Sequence, residues 1–436
     1  MLVIVYRLLI NLIILLSPII IIFRLIQRKE DLFRFKEKFC FFSEKKRNGN
    51  LIWFHGASVG EVKSIVPLIE KLEKEKKISQ ILVTSSTLSS SKIFKKFKFK
   101  KTIHQFFPID GSLYTKKFLN YWKPSLAVFI DSEIWPNMLL NINKKKIPTI
   151  LLNARITKKS FNRWLYFKSF AQKIFQCFDI TFPQNKETTK YLKILKVKKI
   201  KHLGNIKFSE NEYHSKSNIN LKIKKFLKNK NYWCAASTHN NEEIISGNVH
   251  LRLKKKIKNL ITFIIPRHIQ RTEDIVNSLQ NLNLKVHCHS SNENIWKSTD
   301  IYIVDTYGET NSFFKVNGTV FLGGSLIKHG GQNPIEPARN GCKIIYGPHV
   351  ENFKEVYELL DKNKVSFKVN NMEQLTSKVG ILIKKNKGSK NLEDKINKLG
   401  KRILKKTLFE FKSYLNKIWN LTNLNFGMFQ KYLFGQ

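Results

Sequence analysis

Short apolar runs alternate with longer amphipathic segments through most of this chain, and no other feature constrains its fold as much. Leu51–Gly56, Ile81–Thr84, Leu126–Ile130, Thr149–Leu152 and Asp179–Phe182 read as buried strands. Glu61–Glu75 reads as a helix, because Val62, Ile65, Val66, Ile69 and Leu72 recur on one stripe. Strand and helix in alternation imply a parallel sheet with helices on both faces. A polar stretch around residues 209–230 interrupts the pattern, which then restarts. Tyr232–Ala236, Ile261–Ile265, Lys285–His289, Ile301–Val304, Thr319–Leu322 and Lys343–Tyr346 all read as strands. At 436 residues the chain is long for one core. The expectation is an α/β protein of two doubly wound, Rossmann-like domains facing a cleft, covering residues 28–210 and 211–410. A helical segment at 411–436 would follow them.

The first 27 residues differ from the rest. "LLINLIILLSPIIIIF" at residues 8–23 is nearly all apolar, and with the residues before it spans about 22 positions, enough for a bilayer. Arg24, Arg28, Lys29 and Arg34 follow it, and no small-residue cleavage site does. A retained membrane anchor is expected, with the remaining chain on the cytoplasmic side by the positive-inside rule. Pro18 is expected to kink a helix there.

The formal net charge is +46. It is compatible with an anionic membrane surface, with nucleic acid, or with the Lys-, Ile- and Asn-rich drift of AT-rich genomes. It is spread over the whole length, and no RNA-recognition, KH, helix-turn-helix or zinc-finger pattern accompanies it, so nucleic acid is the weakest of the three. The five cysteines include no CxxC pair, which points to a reducing compartment and away from a structural zinc. His287 and His289 would share one face of a strand, but no second ligand pair lies nearby, and no metal is expected.

Nearly all the unusual polar clusters sit at strand ends, where ligands bind in open parallel sheets. In "WFHGASVGEV" at 53–62, Ser58 and Glu61 have the spacing of a capping box. Glu61 is therefore either a cap or a reagent, and capping hydrogen bonds are expected to keep it ionised and weakly basic. Asp131 and Glu133 end one strand, and Lys207 precedes the polar interruption. Pro266 and Arg267 end another strand, Arg267 offering a guanidinium for a phosphate. Ser237 is expected to cap a helix. Gly308, between Tyr307 and Glu309, lets the backbone approach a ligand. In "FLGGSLIKHGGQNPIEPARNG" at 321–341, Asn333 suits an N-cap, Pro334 the first helical turn, and Glu336 the third position. Ile335 lies inside that motif.

Taken in order, these clusters resemble the 3-deoxy-D-manno-octulosonic acid (Kdo) transferases of lipopolysaccharide synthesis. The resemblance rests on "WFHGASVGEV", "DSEIWPN" (131–137), "LLNARIT" (151–157), "GNIKF" (204–208), "AASTHNNEE" (235–243), "IPRH" (265–268), "DTYGE" (305–309), "FLGGSL" (321–326) and "HGGQNPIEPA" (329–338). It covers roughly residues 30–360. It implies a GT-B glycosyltransferase that moves Kdo from CMP-Kdo to a tetra-acylated lipid A precursor at the cytoplasmic face of the inner membrane. Acceptor would bind the first domain and donor the second. By the same resemblance Glu61 is the general base, and Glu133 and Lys207 support the transition state. Pro266, Arg267, Tyr307, Gly308, Glu309 and Asn333 to Glu336 (Asn333, Pro334, Ile335, Glu336) form the CMP site. The reaction would invert the anomeric centre and need no cofactor, and the donor half shows no DxD-type acidic pair for a metal. Tyr307 replaces a common Met, and Arg339 stands where small residues are usual. The competing readings are another GT-B enzyme, such as a heptosyltransferase or a nucleotide-sugar epimerase, and a non-catalytic nucleic-acid binder.

Overall fold

The computed structural model describes residues 2–210, 219–383 and 389–434. It divides into two compact units, Met1–Asn211 together with Gly400–Gln436, and Glu212–Leu399.

The first unit holds β1 (Leu51–His55), β2 (Gln80–Ser85), β3 (Thr102–Phe106), β4 (Leu126–Ile130), β5 (Thr149–Ala154) and β6 (Ile180–Pro183). They form a parallel sheet in the order β3-β2-β1-β4-β5-β6. The order reverses between β1 and β4, so the loops leaving these strands diverge and open a crevice at their carboxyl ends. Every residue of β1 is buried. Trp53 packs with Phe118 and Phe129 on one face, while Ile52 and Phe54 pack with Val62, Ile65 and Ile69 of helix Val59–Leu72 on the other. Burial on both faces is why such strands read as unbroken apolar runs.

The second unit holds β7 (Asn231–Thr238), β8 (Leu260–Pro266), β9 (Val286–Cys288), β10 (Ile301–Ile303), β11 (Thr319–Leu322), β12 (Lys343–Tyr346) and β13 (Ser366–Lys368). The order is β13-β12-β11-β7-β8-β10-β9, again parallel, with β7 and β11 flanking the switch point. Two doubly wound α/β units thus follow from the alternation. The two strands that sequence periodicity missed, β3 and β13, are both sheet edges. Edge positions tolerate polar residues, and β3 carries His104 and Gln105. Both are buried, and Ser85 and Arg34 bind the His104 ring.

The C-terminal segment corrects the expected boundary at 410. Helix Lys390–Phe434 is continuous, and from Gly400 onward it belongs to the first unit. Phe411 and Leu415 are buried in that unit's core, and the Phe411 ring stacks on Phe54 with centroids 5.8 Å apart. The reason is a close crossing. A Cβ on Gly400 would lie 2.0 Å from the Phe208 carbonyl oxygen, so glycine is required there.

The apolar N-terminus is a helix, Leu2–Ile26, long and apolar enough to cross a membrane. One side of its first turns is tied to the first unit. The Tyr6 hydroxyl donates to Asp110 Oδ2 at 2.7 Å, and Arg7 Nε donates to Asn137 Oδ1 at 3.1 Å. Ile4, Leu8, Leu12, Leu15 and Ile19 point away and are exposed.

Candidate functional site

In the first unit, β1 runs into a two-residue break at Gly56-Ala57 and then, past the N-cap Ser58, into helix Val59–Leu72. Ser58 is the N-cap, and the capping box with Glu61 is complete. The Glu61 amide donates to Ser58 Oγ at 3.4 Å, while the Glu61 carboxylate accepts from the Ala57 amide at 2.7 Å and from Ser58 Oγ at 2.8 Å. The capping reading is therefore correct. The inference drawn from it, a weakly basic carboxylate, is overturned. Glu61 is pushed up to about 7, first by burial and then by repulsion from Asp131 and Glu133, against the lowering effect of the Ser58 and Ala57 hydrogen bonds. Two neighbouring acids and partial desolvation outweigh two donors.

Those acids come from the end of β4. Asp131 adopts a left-handed backbone, φ 54°, as does Asn153 at the end of β5, φ 56°. Such positions cost energy in non-glycine residues and persist where side-chain bonds hold them. Asn153 Nδ2 donates to Asp131 Oδ1 at 2.6 Å, and Asn153 Oδ1 accepts from the Ile206 amide at 3.0 Å. That second bond fixes the short turn Ile206–Ser209, which delivers Lys207 to Asp131 as an ion pair. Lys207 thus pairs with Asp131 and not with Glu133. Glu133 accepts from Trp135 Nε1 at 2.8 Å and lies 3.1 Å from His55 Nε2. Its burial is opposed by the bonds from His55 and Trp135, and its carboxyl is held below the usual range. The structure therefore gathers Glu61, Glu133 and Lys207 at the switch point of β1 and β4, and adds Asp131 as the partner of Lys207.

In the second unit, β7 and β8 end together at Thr238 and Pro266. Ser237 sits in the bulge that brings them into register, with φ 55°, and does not cap the following helix, whose N-cap is Asn241. Glu242, quoted in the sequence but given no role, is fully buried and accepts from four amides. They are His239 at 3.1 Å, Gly324 at 2.6 Å, Ser325 at 3.2 Å and Leu326 at 3.1 Å. It ties the glycine loop after β11 to the end of β7. A Cβ on Gly323 would meet the Ser237 oxygen at 2.6 Å and Glu242 Oε2 at 2.7 Å, so this approach demands glycine. Behind the loop, the His239 ring lies 3.9 Å from that of His329 and 5.9 Å from that of His268. Burial and the neighbouring cationic groups lower His239 to about 4, so it is a neutral ring at pH 7.

Arg267 is exposed at the end of β8. Tyr307 is exposed, its hydroxyl accepting from Gln270 at 3.1 Å. Gly308 is left-handed, φ 91°, with open space where a Cβ would be. Glu309 is engaged by His289 at 2.5 Å, and Tyr302 holds the other nitrogen of that ring, so His289 is committed to these partners. Helix Ile335–Arg339 begins one residue later than expected. Asn333 Oδ1 accepts from the Ile335 amide at 3.2 Å, Pro334 takes the N-cap position, and Glu336 is exposed and caps nothing. With five residues this helix has little dipole to offer an anion. Among the described residues no group of three or more His, Cys, Asp or Glu is placed to hold a metal ion.

Known proteins were compared with this chain. The family model described as 3-deoxy-D-manno-octulosonic-acid transferase (kdotransferase) matches residues 33–210, which carry Glu61, Glu133 and Lys207. A 3-deoxy-D-manno-octulosonic acid transferase of Rickettsia bellii is 34% identical over 368 residues, covering 84% of this chain and 88% of that protein. One from Haemophilus influenzae is 30% identical, covering 71% of this chain and 73% of its own. Among solved structures, the UDP-GlcNAc 2-epimerase of Neisseria meningitidis bound to UDP-GlcNAc has a TM-score of 0.57 at 12% identity, covering 82% of this chain and 99% of that one. This last likeness speaks for the two-unit GT-B layout alone. The sequence relatives decide the activity: the chain belongs to the Kdo transferase family and is a glycosyltransferase.

Proposed function

We propose that this protein transfers Kdo from CMP-Kdo to a hydroxyl of a tetra-acylated lipid A precursor, with inversion and without a metal, using Glu61 as general base. The observation that carries the reading is the Glu61 carboxylate in the first turn of the helix after β1, raised to about 7 by burial and then by Asp131 and Glu133. A base works best when its pKa lies near the operating pH. In the step, the acceptor oxygen bonds to the anomeric carbon of Kdo while the bond from that carbon to the phosphate oxygen breaks. CMP leaves with the electron pair, and the hydroxyl proton passes to Glu61. Glu133 and Lys207 support the charge developing around that carbon. Pro266, Arg267, Tyr307, Gly308, Glu309 and Asn333 to Glu336 hold CMP, and Arg267 offsets the anion as it departs.

The proposed site of action is the cytoplasmic face of the inner membrane, and the apolar N-terminal helix supports membrane attachment. Its first turns are hydrogen-bonded to the first unit, and its outward residues are apolar. This geometry favours a helix lying along the membrane interface, with surrounding Lys and Arg meeting anionic lipid. Nucleic acid is not needed as a partner.

The test is mass spectrometry of the product formed from CMP-Kdo and a purified lipid A precursor. A mass increase of one or more Kdo residues is expected. Turnover with an ADP- or UDP-sugar and none with CMP-Kdo would overturn the reading.

A further inference from the structure

We propose that His55 is a positioning residue for transfer: it is the last donor in a buried hydrogen-bond chain, Trp53 to Thr84 to His55 to Glu133, which keeps Glu133 an oriented anion beside Glu61. The proposal rests on Glu61 acting as the base.

The chain is built by strand alternation and register. Trp53 and His55 are two apart in β1 and so share one face of the sheet. His55 stands opposite Thr84 of β2. Trp53 Nε1 donates to Thr84 Oγ1 at 2.9 Å. The Thr84 hydroxyl can donate to the Phe54 carbonyl at 3.4 Å or to His55 Nδ1 at 3.0 Å, and the shorter contact is the better bond. With Nδ1 as acceptor, Nε2 carries the proton and points it at Glu133 Oε2, 3.1 Å away. The opposite tautomer would give Nδ1–H to the Thr84 carbonyl at 3.2 Å and set a bare Nε2 lone pair against a carboxylate. The ring cannot swing to escape. It has no exposed side-chain surface, stacks on Phe107 at 3.8 Å and meets Phe129 edge-on.

Glu61 is reached through the two acids that face it. Asp131 and Glu133 both face Glu61 from the end of β4. Asp131 is paired with Lys207 from the turn Ile206–Ser209. Glu133 is bound by the N–H groups of His55 and Trp135, and these bonds hold its carboxyl below the usual range against its burial. Ionised, Glu133 repels Glu61 alongside Asp131 through a partly buried medium. Remove the His55 donor, and Glu133 keeps only Trp135 to orient it and loses part of its hold on ionisation. Glu61 then becomes a weaker base.

The experiment compares full-length wild type with His55→Phe, His55→Gln and Thr84→Val. Kdo transfer from CMP-Kdo to a tetra-acylated lipid A precursor is measured between pH 5.5 and 9, with thermal unfolding alongside. For His55→Phe, kcat is expected to fall about 10- to 100-fold, the scale of lost supporting hydrogen bonds. KM should change little, and the acid limb of the profile should move down by about one pH unit. His55→Gln retains a donor towards Glu133 and an acceptor towards Thr84, so it should restore the wild-type limb and most of kcat. Thr84→Val, which frees the tautomer, should show a smaller downward shift, and it provides the same readout if His55→Phe fails to fold. An acid limb unmoved in His55→Phe and Thr84→Val, or a Gln variant no better than Phe, overturns the relay. If the wild-type limb survives in Glu61→Gln, the base assignment itself fails and the relay falls with it; loss of that limb leaves the His55 variants to decide the relay alone.

Discussion

Glu61→Gln separates two roles that share one side chain. Glutamine keeps an oxygen for the Ala57 amide and a donor for Ser58, so the cap persists in altered form. It cannot take a proton, and loss of a general base costs roughly 10²- to 10⁴-fold in kcat. Stability should move the other way. Glu61 is raised from 4.5 to about 7 in the folded state, so ionising it disfavours folding. The folded state binds this proton more tightly than the unfolded chain, and stability is therefore lost as pH rises from the unfolded value through about 7. At about 1.4 kcal/mol per pH unit, that difference bounds the loss at about 3 kcal/mol, and partial exposure reduces it to about 1–2 kcal/mol. Glu61→Gln should thus be more stable than wild type at pH 8, and the gap should close towards pH 5. The assays are transfer kinetics and thermal melts at pH 5, 6.5 and 8. Near-normal turnover would leave Glu61 a cap, and a stability gap independent of pH would refute the electrostatic account of its raised pKa.

Other outcomes follow from the same geometry. Lys207→Met leaves Asp131 without its cation and should destabilise the protein by about 3 kcal/mol, read by denaturant unfolding. Glu242→Ala strands four backbone amides, so it should cost at least about 2 kcal/mol and weaken CMP binding by calorimetry. Gly323→Ala forces a methyl against backbone and should cost about 1–3 kcal/mol with loss of CMP affinity. Binding to anionic liposomes should weaken as salt rises and as anionic lipid is withdrawn; binding indifferent to both would remove the basic surface from the membrane proposal.

The alternation of apolar runs with amphipathic segments was enough to specify two doubly wound units, because strands buried on both faces must be apolar throughout. The same logic failed at β3 and β13, since an edge strand contacts one neighbour and admits polar side chains. It also failed at the C-terminus, where nothing local says that a helix beginning at Lys390 crosses at Gly400 to pack Phe411 onto Phe54.

At the site, residue types and spacing marked Glu61 as a cap and set Asp131, Glu133 and Lys207 at chain turns. Only the tertiary structure decided what these groups are worth. Capping is local and legible in four residues, but the pKa of the same carboxylate depends on acids some 70 residues away, brought close by the adjacency of β1 and β4. The pairing of Lys207 with Asp131, the contact of His55 with Glu133 and the glycine-loop amides on Glu242 are likewise products of contacts between segments distant in sequence. Charge and hydrogen bonding act through space, so the sequence named the chemical groups and the fold assigned their energies.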